Sequence, residues 1–426
     1  MDSTPRRRPR ALLGAASAFA LASTAAAALA GVGAAPAAGV TVNETVTVGS
    51  ATALAVQFRG NGHGHGMSQY GARGAARAGL GYRQILAFYY PGTTVTTLSK
   101  RLIRVKLPDT GSTTTVGALS NVTLTGVTGY LPTTGIRRYR LIAGAGTTLT
   151  LQKLPAAAGA VWTNVRTGLP NRSEFYRHAR LPLRVYESDG DSTDYDGYIR
   201  AVRSPSGGVY TVDRVLLDNY VAGVVPREMP ASWERAALDA QAVAARTYAA
   251  NALASPSNPE YDICSTTQCQ VYGGRAHYDS TGALLWSQAS IPVTDTAYQV
   301  LTYKGAPAFA QFSASNGGWT VAGGQPYLVA KSDPYDTPQR SLDPYIGASQ
   351  TVRVSTVARY FKLAKLTSIR ITSRDGHGTW GGRVLTGSVT GLDAAGQSKT
   401  VAADGYDFAD VFGLGTTWFK VSIASS

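Results

Sequence analysis

Hydrophobic and polar residues alternate over short stretches along much of the chain. The alternation is clearest within residues 39–58, 183–186, 198–202, 368–371 and 384–386. A two-residue period places apolar side chains on one face of a strand and polar side chains on the other. Glycine-rich turn signals separate these runs, so the pattern predicts a fold dominated by strands.

One long segment departs from this alternation. Residues 236–248 are dense in alanine and also contain Leu238 and Val243, a composition typical of a helix packed closely in a core. Ser232 is the candidate N-cap, and Glu234 falls in the expected first turn. We therefore predict an α+β fold, strand-dominated, with a buried alanine-rich helix.

The first 38 residues have the composition of a secretory signal peptide. Four arginines within residues 2–10 precede an alanine-rich apolar run, and small residues follow at positions 33–38. The run is only weakly hydrophobic, which favours cleavage near residue 37 or 38 over retention as a membrane anchor. We expect a secreted or cell-envelope protein whose mature chain has no transmembrane segment.

Changes in pattern divide the chain beyond this leader (1–38) into four segments. Residues 39–99 contain a glycine- and histidine-rich segment, and residues 100–179 read as a β-rich insertion or small domain. Residues 180–345 carry the long helix and are expected to form the core domain. Residues 346–426 are expected to be the β-rich C-terminal part of that same domain.

The composition adds a basic surface to this picture. The chain has 40 Lys and Arg against 26 Asp and Glu, a formal net charge of +14, and the leader accounts for little of that excess. An exported basic protein suits an anionic cell wall, although charge that only aids solubility explains the excess equally well. Export and the lack of a nucleic-acid-binding motif argue against a nucleic acid partner.

The chain has two cysteines, Cys264 and Cys269. Two cysteines this close in an exported protein most simply form a local disulfide. Zinc would need two further ligands, and Asp262 and His277 offer no convincing spacing. We therefore expect a disulfide, and neither a metal nor a cofactor.

Glu228 is the strongest candidate for acid/base chemistry. It lies between Pro226 and Pro230, just before the expected helix, where the prolines restrict the backbone. Met229 and Trp233 would supply an apolar wall that raises the pKa of the carboxyl, as a general acid requires. A helix N-terminus would favour the carboxylate instead. The residues alone leave open a helix-entry glutamate that only binds backbone amides.

Two further segments contain candidate functional residues. Residues 62–72 alternate glycine with His63 and His65 before a Met-Ser-Gln-Tyr-Gly sequence, a weak metal signal without a third ligand nearby. Residues 313–318 combine hydroxyls, an amide and two glycines, which suits either a sugar site or a polar turn. No Ser/His/Asp triad, phosphate-binding loop, dinucleotide fingerprint or His-Glu-x-x-His sequence is present.

Five segments together resemble the SpoIID/LytB family of exported, peptidoglycan-acting proteins. They are residues 62–72, 220–230, 240–248, 270–274 and 313–318. The order of these segments departs from the family, because the glycine-histidine segment usually follows the glutamate segment in sporulation members and here precedes it.

The resemblance implies a lytic transglycosylase acting on peptidoglycan glycan strands stripped of stem peptides, with Glu228 as the catalytic residue. The candidates for positioning glycan are Arg246, Tyr272, Ser315, Asn316, Gly317 and Gly318. Arg246 is alternatively a buried helix cation paired with a carboxylate. The competing interpretation is a non-catalytic wall-binding module that enhances an N-acetylmuramoyl-L-alanine amidase, and a purely structural envelope protein is a weaker third.

Overall fold

A computed structural model describes residues 39–108, 110–288, 293–338 and 342–424, so the expected signal peptide lies outside the described residues. Strand accounts for 38% and helix for 20%, which confirms the predicted strand-dominated α+β class.

The helices are α1 (Gln69–Arg77), α2 (Tyr82–Tyr89), α3 (Leu217–Glu228), α4 (Arg235–Ala254), α5 (Val354–Tyr360) and α6 (Gly405–Phe412). The strands are β1 (Val40–Thr47), β2 (Ala53–Arg59), β3 (Met67–Ser68), β4 (Thr94–Thr97), β5 (Leu102–Lys106), β6 (Thr114–Gly117), β7 (Val122–Leu124), β8 (Ile136–Ala143), β9 (Leu149–Pro155), β10 (Thr163–Leu169), β11 (Glu174–Arg177), β12 (Leu183–Tyr186), β13 (Ser192–Tyr195), β14 (Tyr198–Arg203), β15 (Val209–Leu216), β16 (Ile263–Cys264), β17 (Ala276–Tyr278), β18 (Leu284–Ser287), β19 (Gln299–Tyr303), β20 (Ala306–Pro307), β21 (Phe312–Ser313), β22 (Ile346–Arg353), β23 (Lys365–Arg374), β24 (Val384–Leu392), β25 (Ser398–Asp404) and β26 (Phe419–Ile423).

The chain divides into two compact units. The terminal unit combines the described residues up to His63 with those from Tyr345 onward, and the central unit spans Gly64–Pro344. The division differs from the expected segments, because the start of segment 39–99 pairs with the C-terminal region. Strand β2 lies between β22 and β26, so residues 346–426 build a unit with residues 39–63 rather than completing the core domain.

The terminal unit contains a four-stranded sheet, β1-β23-β24-β25, and a three-stranded sheet, β22-β2-β26, with α5 and α6. Its core is apolar and includes Leu54, Ile369, Phe408 and Phe419. These side chains come from the buried positions of alternating strands and from one side of α6, as a two-residue strand period and a helical stripe require.

The central unit is built on an eight-stranded sheet, β10-β9-β8-β6-β12-β13-β17-β18, and a six-stranded sheet, β16-β5-β15-β14-β11-β7. Strand β5 pairs with β15, and β6 pairs with β12. Residues 100–179 are therefore not a separate insertion, since their strands share both sheets with strands of residues 180–216.

Helix α4 is the expected buried alanine-rich helix. Its contacts include α1, α2, α3 and β19. Its alanines permit this close packing because they are small and are good helix formers. The helix begins at Arg235, with Glu234 at the N-cap, rather than near Ser232. The reason is a turn before the helix, in which the Trp233 N–H donates to the carbonyl of Pro230 at 3.0 Å.

Helix α3 was not expected, since residues 180–225 read as strands. Its valines and tyrosine favour strands in isolation, but Leu217, Tyr220, Val221, Val224 and Val225 recur at helical spacing and are all buried. This period of three to four residues was the feature of the sequence that indicated a helix. Burial of these side chains against the rest of the unit stabilises it. Among the described residues, no helix has both the length and the apolar composition needed to cross a bilayer.

Candidate active site

Glu228 is the last residue of α3 and does not stand at the entry of α4. The expected position was wrong because Pro226 is accommodated in the last turn of α3, and the helix continues two residues beyond it. The backbone carbonyls at a helix C-terminus disfavour a negative charge. The helix dipole therefore acts with burial in keeping this carboxyl protonated, whereas the sequence suggested the reverse.

The carboxyl of Glu228 is held from two sides. The Gln69 side-chain amide donates to Oε2 at 3.2 Å, and the Val271 N–H donates to Oε1 at 3.2 Å. Burial raises the pKa of Glu228, and these two hydrogen bonds and the charge of Arg227 oppose that shift without cancelling it. A carboxyl with a raised pKa and two fixed donors can give up a proton and then stabilise the resulting anion.

Gln69 reaches Glu228 from the glycine-histidine segment, which lies far away in sequence. Strand β3 pairs in parallel with β21, and the Tyr70 N–H donates to the carbonyl of Ala314 at 3.0 Å. The sequence pattern indicates that this segment is functional but does not single out Gln69. The pairing brings the segment beside the glutamate even though it precedes the glutamate in the chain.

The glycines of this segment have a backbone role. Gly66 has a φ of +64°, and a Cβ there would lie 2.1 Å from the carbonyl oxygen of Gln311, so only glycine permits this approach. His65 Nδ1 lies 3.2 Å from the carbonyl oxygen of Val321. Among the described residues, no group of three His, Cys, Asp or Glu side chains is arranged to hold a metal ion.

The polar loop at residues 313–318 faces inward. Ser315 and Asn316 have no exposed surface. Asp336 Oδ2 accepts hydrogen bonds from the Ser315 hydroxyl at 3.0 Å and from the N–H groups of Asn316 and Gly317 at 2.9 and 3.2 Å. The Gly318 N–H donates to the Asn316 side chain at 2.8 Å. These contacts shape the loop, and direct contact of its residues with glycan stays a prediction.

Two buried aspartates, Asp333 and Asp336, anchor this loop, and sequence reasoning missed them. Asp333 accepts hydrogen bonds from the Tyr89 hydroxyl at 2.6 Å and from the Asn316 amide at 2.7 Å. Burial raises the pKa of Asp333. Burial, followed by the charges of Asp343 and Asp333, raises the pKa of Asp336 well above its ordinary value. Aspartates in a turn are common in any sequence, so no local signal marked them.

Ser68 connects this cluster to the active site. Its hydroxyl caps α1 by accepting from the Gly71 N–H at 3.0 Å and donates to Asp336 at 2.8 Å. We expect Ser68→Ala to lower the free energy of unfolding by about 1–2 kcal/mol, the usual effect of losing such a cap, measured by urea denaturation. Ser349→Ala, on an exposed strand position, is the control, and an equal loss in both variants would contradict the capping role.

Arg246 and Tyr272 also face the interior. Arg246 is fully buried, and its guanidinium donates to Asp218 at 2.9 Å and to the carbonyl of Gln299 at 3.1 Å. This is the buried helix cation that the sequence left open as an alternative. The Tyr272 hydroxyl donates to the buried Asp213 at 2.9 Å. Arg246 thus links α4 to α3 and β19, and Tyr272 bonds to β15. Contact of either residue with glycan stays a prediction.

A disulfide precedes the segment that contacts Glu228. Cys264 and Cys269 are joined, with their Cα atoms 5.5 Å apart. Cys264 ends β16, which pairs with β5, and Cys269 lies two residues before Val271. The disulfide therefore limits the positions that the Val271 N–H can take relative to the glutamate.

The central unit is thus a strand-dominated α+β scaffold that carries a half-buried glutamate at the end of α3. Residues 205–303 match the family model of SpoIID, the stage II sporulation protein. Residues 205–303 are therefore a SpoIID-family segment within this chain. The matched residues include Glu228, Arg246 and Tyr272, but neither Gln69 nor the loop at 313–318.

Three relatives are similar over the same fraction of the chain. The amidase enhancer of Bacillus subtilis (strain 168) is 39% identical over 136 residues, covering 30% of this chain and 16% of the enhancer. The stage II sporulation protein D of the same strain is 33% identical over 142 residues, and that of Bacillus amyloliquefaciens is 31% identical over 144 residues. Each of these two matches covers 30% of this chain and 41% of the relative. The chain therefore spans less than half the length of these relatives.

Proposed function

We propose that this protein cleaves peptidoglycan glycan strands as a lytic transglycosylase, with Glu228 as its single acid/base. The observation that carries the proposal is the half-buried Glu228 carboxyl with its raised pKa and two fixed donors. Its position within the segment that matches the sporulation family supports the same reaction. The signal-like leader supports action in the cell envelope.

The reaction needs only one carboxyl because the substrate supplies its own nucleophile. Protonated Glu228 donates its proton to the glycosidic oxygen between N-acetylmuramic acid and N-acetylglucosamine, and the bond from that oxygen to C1 breaks. The Glu228 carboxylate then accepts the proton of the muramic C6 hydroxyl as O6 bonds to C1. The product is a 1,6-anhydro sugar, no water is consumed, and Glu228 is protonated again. An intramolecular attack of this kind gains from proximity.

The two donors fit this sequence of steps. The Gln69 amide and the Val271 N–H favour the carboxylate, which exists only after the first proton has been transferred. A fixed donor aimed at a charge that develops during the reaction lowers the barrier. We therefore assign Gln69 and Val271 to stabilisation of the Glu228 anion.

The test is a digest of purified, peptide-stripped glycan strands, read by mass spectrometry, with wild type and Glu228→Gln. Anhydromuramyl ends from wild type alone are the expected result. Reducing ends that incorporate ¹⁸O from labelled water would show hydrolysis and would overturn the transglycosylase mechanism. No product from wild type under conditions in which it binds strands would overturn catalysis altogether.

A second candidate function is enhancement of an N-acetylmuramoyl-L-alanine amidase without turnover. The supporting observation is the 39% identity with a protein named amidase enhancer. The two functions separate in one assay, in which purified amidase and intact walls are incubated with wild type or Glu228→Gln. Stimulation that survives Glu228→Gln would favour enhancement, whereas stimulation that disappears would favour catalysis.

A further inference from the structure

An exposed arginine, Arg227, adjoins Glu228. Arg227 is exposed and directly precedes the glutamate, and its charge is close enough to lower the pKa of Glu228. Among the described residues, no carboxylate lies within ion-pair distance of its guanidinium. An exposed cation near a reacting carboxyl, without an anionic partner of its own, is suited to an anion on the substrate.

The position of Arg227 is fixed by its surroundings. Its guanidinium lies over the ring of Trp286 in β18, 5.2 Å from the ring centre. Gly273 leaves the room for this pair, because a Cβ there would lie 3.0 Å from Arg227 Cδ and 3.1 Å from the Trp286 ring. A guanidinium stacked on an aromatic face loses less freedom on binding than a free side chain does.

Residues 271–273 contact both Glu228 and Arg227. Val271 donates its N–H to Glu228, and Gly273, two residues on, borders Arg227. The arginine is therefore held at a constant position relative to the reacting carboxyl. An anion bound by Arg227 would therefore lie near the carboxyl that is proposed to protonate the glycosidic oxygen.

We propose that Arg227 is a specificity residue that binds the free lactyl carboxylate of muramic acid and so selects strands without stem peptides. The inference rests on the proposed function. Muramic acid carries its lactyl group on the ring next to the bond that Glu228 would protonate. That group is a carboxylate only where no peptide is attached, and becomes a neutral amide where a peptide is attached. A guanidinium at this position distinguishes the two by charge.

The test compares two forms of one glycan preparation, with lactyl carboxylates either free or converted to methyl esters. Binding is measured with the full chain carrying Glu228→Gln, so that no strand is cleaved. We expect binding of the free carboxylate form to be about ten-fold tighter than binding of the ester, as for one charge-assisted contact. Adding Arg227→Gln should bring this ratio to about one.

The matched control is Arg275→Gln. Arg275 is also exposed and follows the same segment, but it already pairs with Asp196 at 3.0 Å. This variant removes the same charge and should leave the ratio unchanged. A ratio near one in the Glu228→Gln protein, a preference that survives Arg227→Gln, or an equal loss in both arginine variants would overturn the proposal.

A parallel turnover assay separates this proposal from the proposed function. If wild type releases no anhydromuramyl product but the binding ratio depends on Arg227, the catalytic assignment fails and the carboxylate site stands. If wild type cleaves both forms equally and binds them equally, the catalytic assignment stands and the carboxylate site fails. Failure to bind either form would overturn both.

Discussion

Replacing Glu228 with glutamine is expected to slow the release of anhydromuramyl products by at least about 1000-fold, within the range that general acid–base catalysis supplies. Glutamine has nearly the same shape but cannot donate or accept the proton. It can still accept a hydrogen bond from the Gln69 amide, so the fold should persist. The measurement is the initial rate on peptide-stripped strands, together with circular dichroism to verify folding.

Glu234→Gln is the matched control for this variant. Glu234 follows Glu228 by six residues and pairs with Arg73 at 3.1 Å, and it is partly exposed. Its loss should change the rate less than about two-fold, since exposed ion pairs contribute little. A similar fall in both variants would indicate a general loss of structure and would contradict an acid/base role for Glu228.

The pH dependence gives an independent check on the same residue. Activity should fall as the pH rises through the raised pKa of Glu228, because the deprotonated carboxyl cannot act as the acid. The Gln69 hydrogen bond lowers that pKa, so Gln69→Leu should move the alkaline limb to higher pH while reducing the maximal rate. A limb that stays in place would mean that another group limits the reaction.

Local sequence patterns predicted the identity of Glu228 but not its structural position. Glu228 could be selected because its flanking prolines and its family resemblance are contiguous in sequence. Its place at the end of α3 could not be predicted, because strand-favouring valines obscured the helical spacing of Leu217 through Val225. The electrostatic effect of the backbone on the glutamate consequently had the wrong sign in the sequence-based prediction.

Long-range pairing explains most of the remaining differences. Gln69 contacts Glu228 only when β3 has joined β21. Asp336 accepts its hydrogen bonds from two distant parts of the chain, residue 68 and residues 315–317. Ser315 and Asn316 have polar side chains that suit a sugar as well as a buried aspartate. Only the fold shows that they turn inward, since composition carries no information on orientation.

The expected division of the chain differs from the observed strand pairing for a related reason. Residues 100–179 have regular strands and turns, which is the pattern of a separate domain. Their partners, however, are β12 and β15, from the following segment. Strand pairing between distant segments leaves no periodic signal in either segment, so boundaries drawn from pattern alone separate strands that share a sheet.

The free energy of unfolding is expected to decrease from mildly acid to neutral pH because of Asp213, and Asp213→Asn should remove that contribution. Asp213 is fully buried in β15, and its Oδ2 accepts a hydrogen bond from Tyr272 at 2.9 Å. Its Oδ1 has no hydrogen-bond partner among the described residues. Burial raises the pKa of Asp213 from 3.8 to about 8.

The direction of this change in the free energy of unfolding follows from which state of the protein binds the proton. Between the unfolded pKa of 3.8 and the folded pKa of about 8, the native protein keeps a proton that the unfolded chain has released. The stabilising contribution is complete below the unfolded pKa and is lost as the pH rises toward the folded pKa. Linkage sets the slope at up to about 1.4 kcal/mol per pH unit.

Urea denaturation of wild type and Asp213→Asn at several pH values between 5 and 8 measures this slope. The difference between the two proteins should change with pH, in favour of the variant as the pH rises. Asp279→Asn is the control, because hydrogen bonds from Thr281 and its neighbours lower the pKa of Asp279, so its titration lies below this window. Parallel curves for wild type and Asp213→Asn would show that native Asp213 is ionised.

This titration bears on the active site through a chain of contacts. Tyr272, which donates to Asp213, packs 4.9 Å from the ring of Tyr220, and the Tyr220 hydroxyl donates to Gln270 at 3.0 Å. Gln270 precedes Val271, whose N–H holds Glu228. Ionisation of Asp213 therefore places an unfavourable buried charge close to the segment that holds the Glu228 carboxyl. Protonation of Asp213 and protonation of Glu228 favour the same acidic range, so stability and activity should decline together as the pH rises.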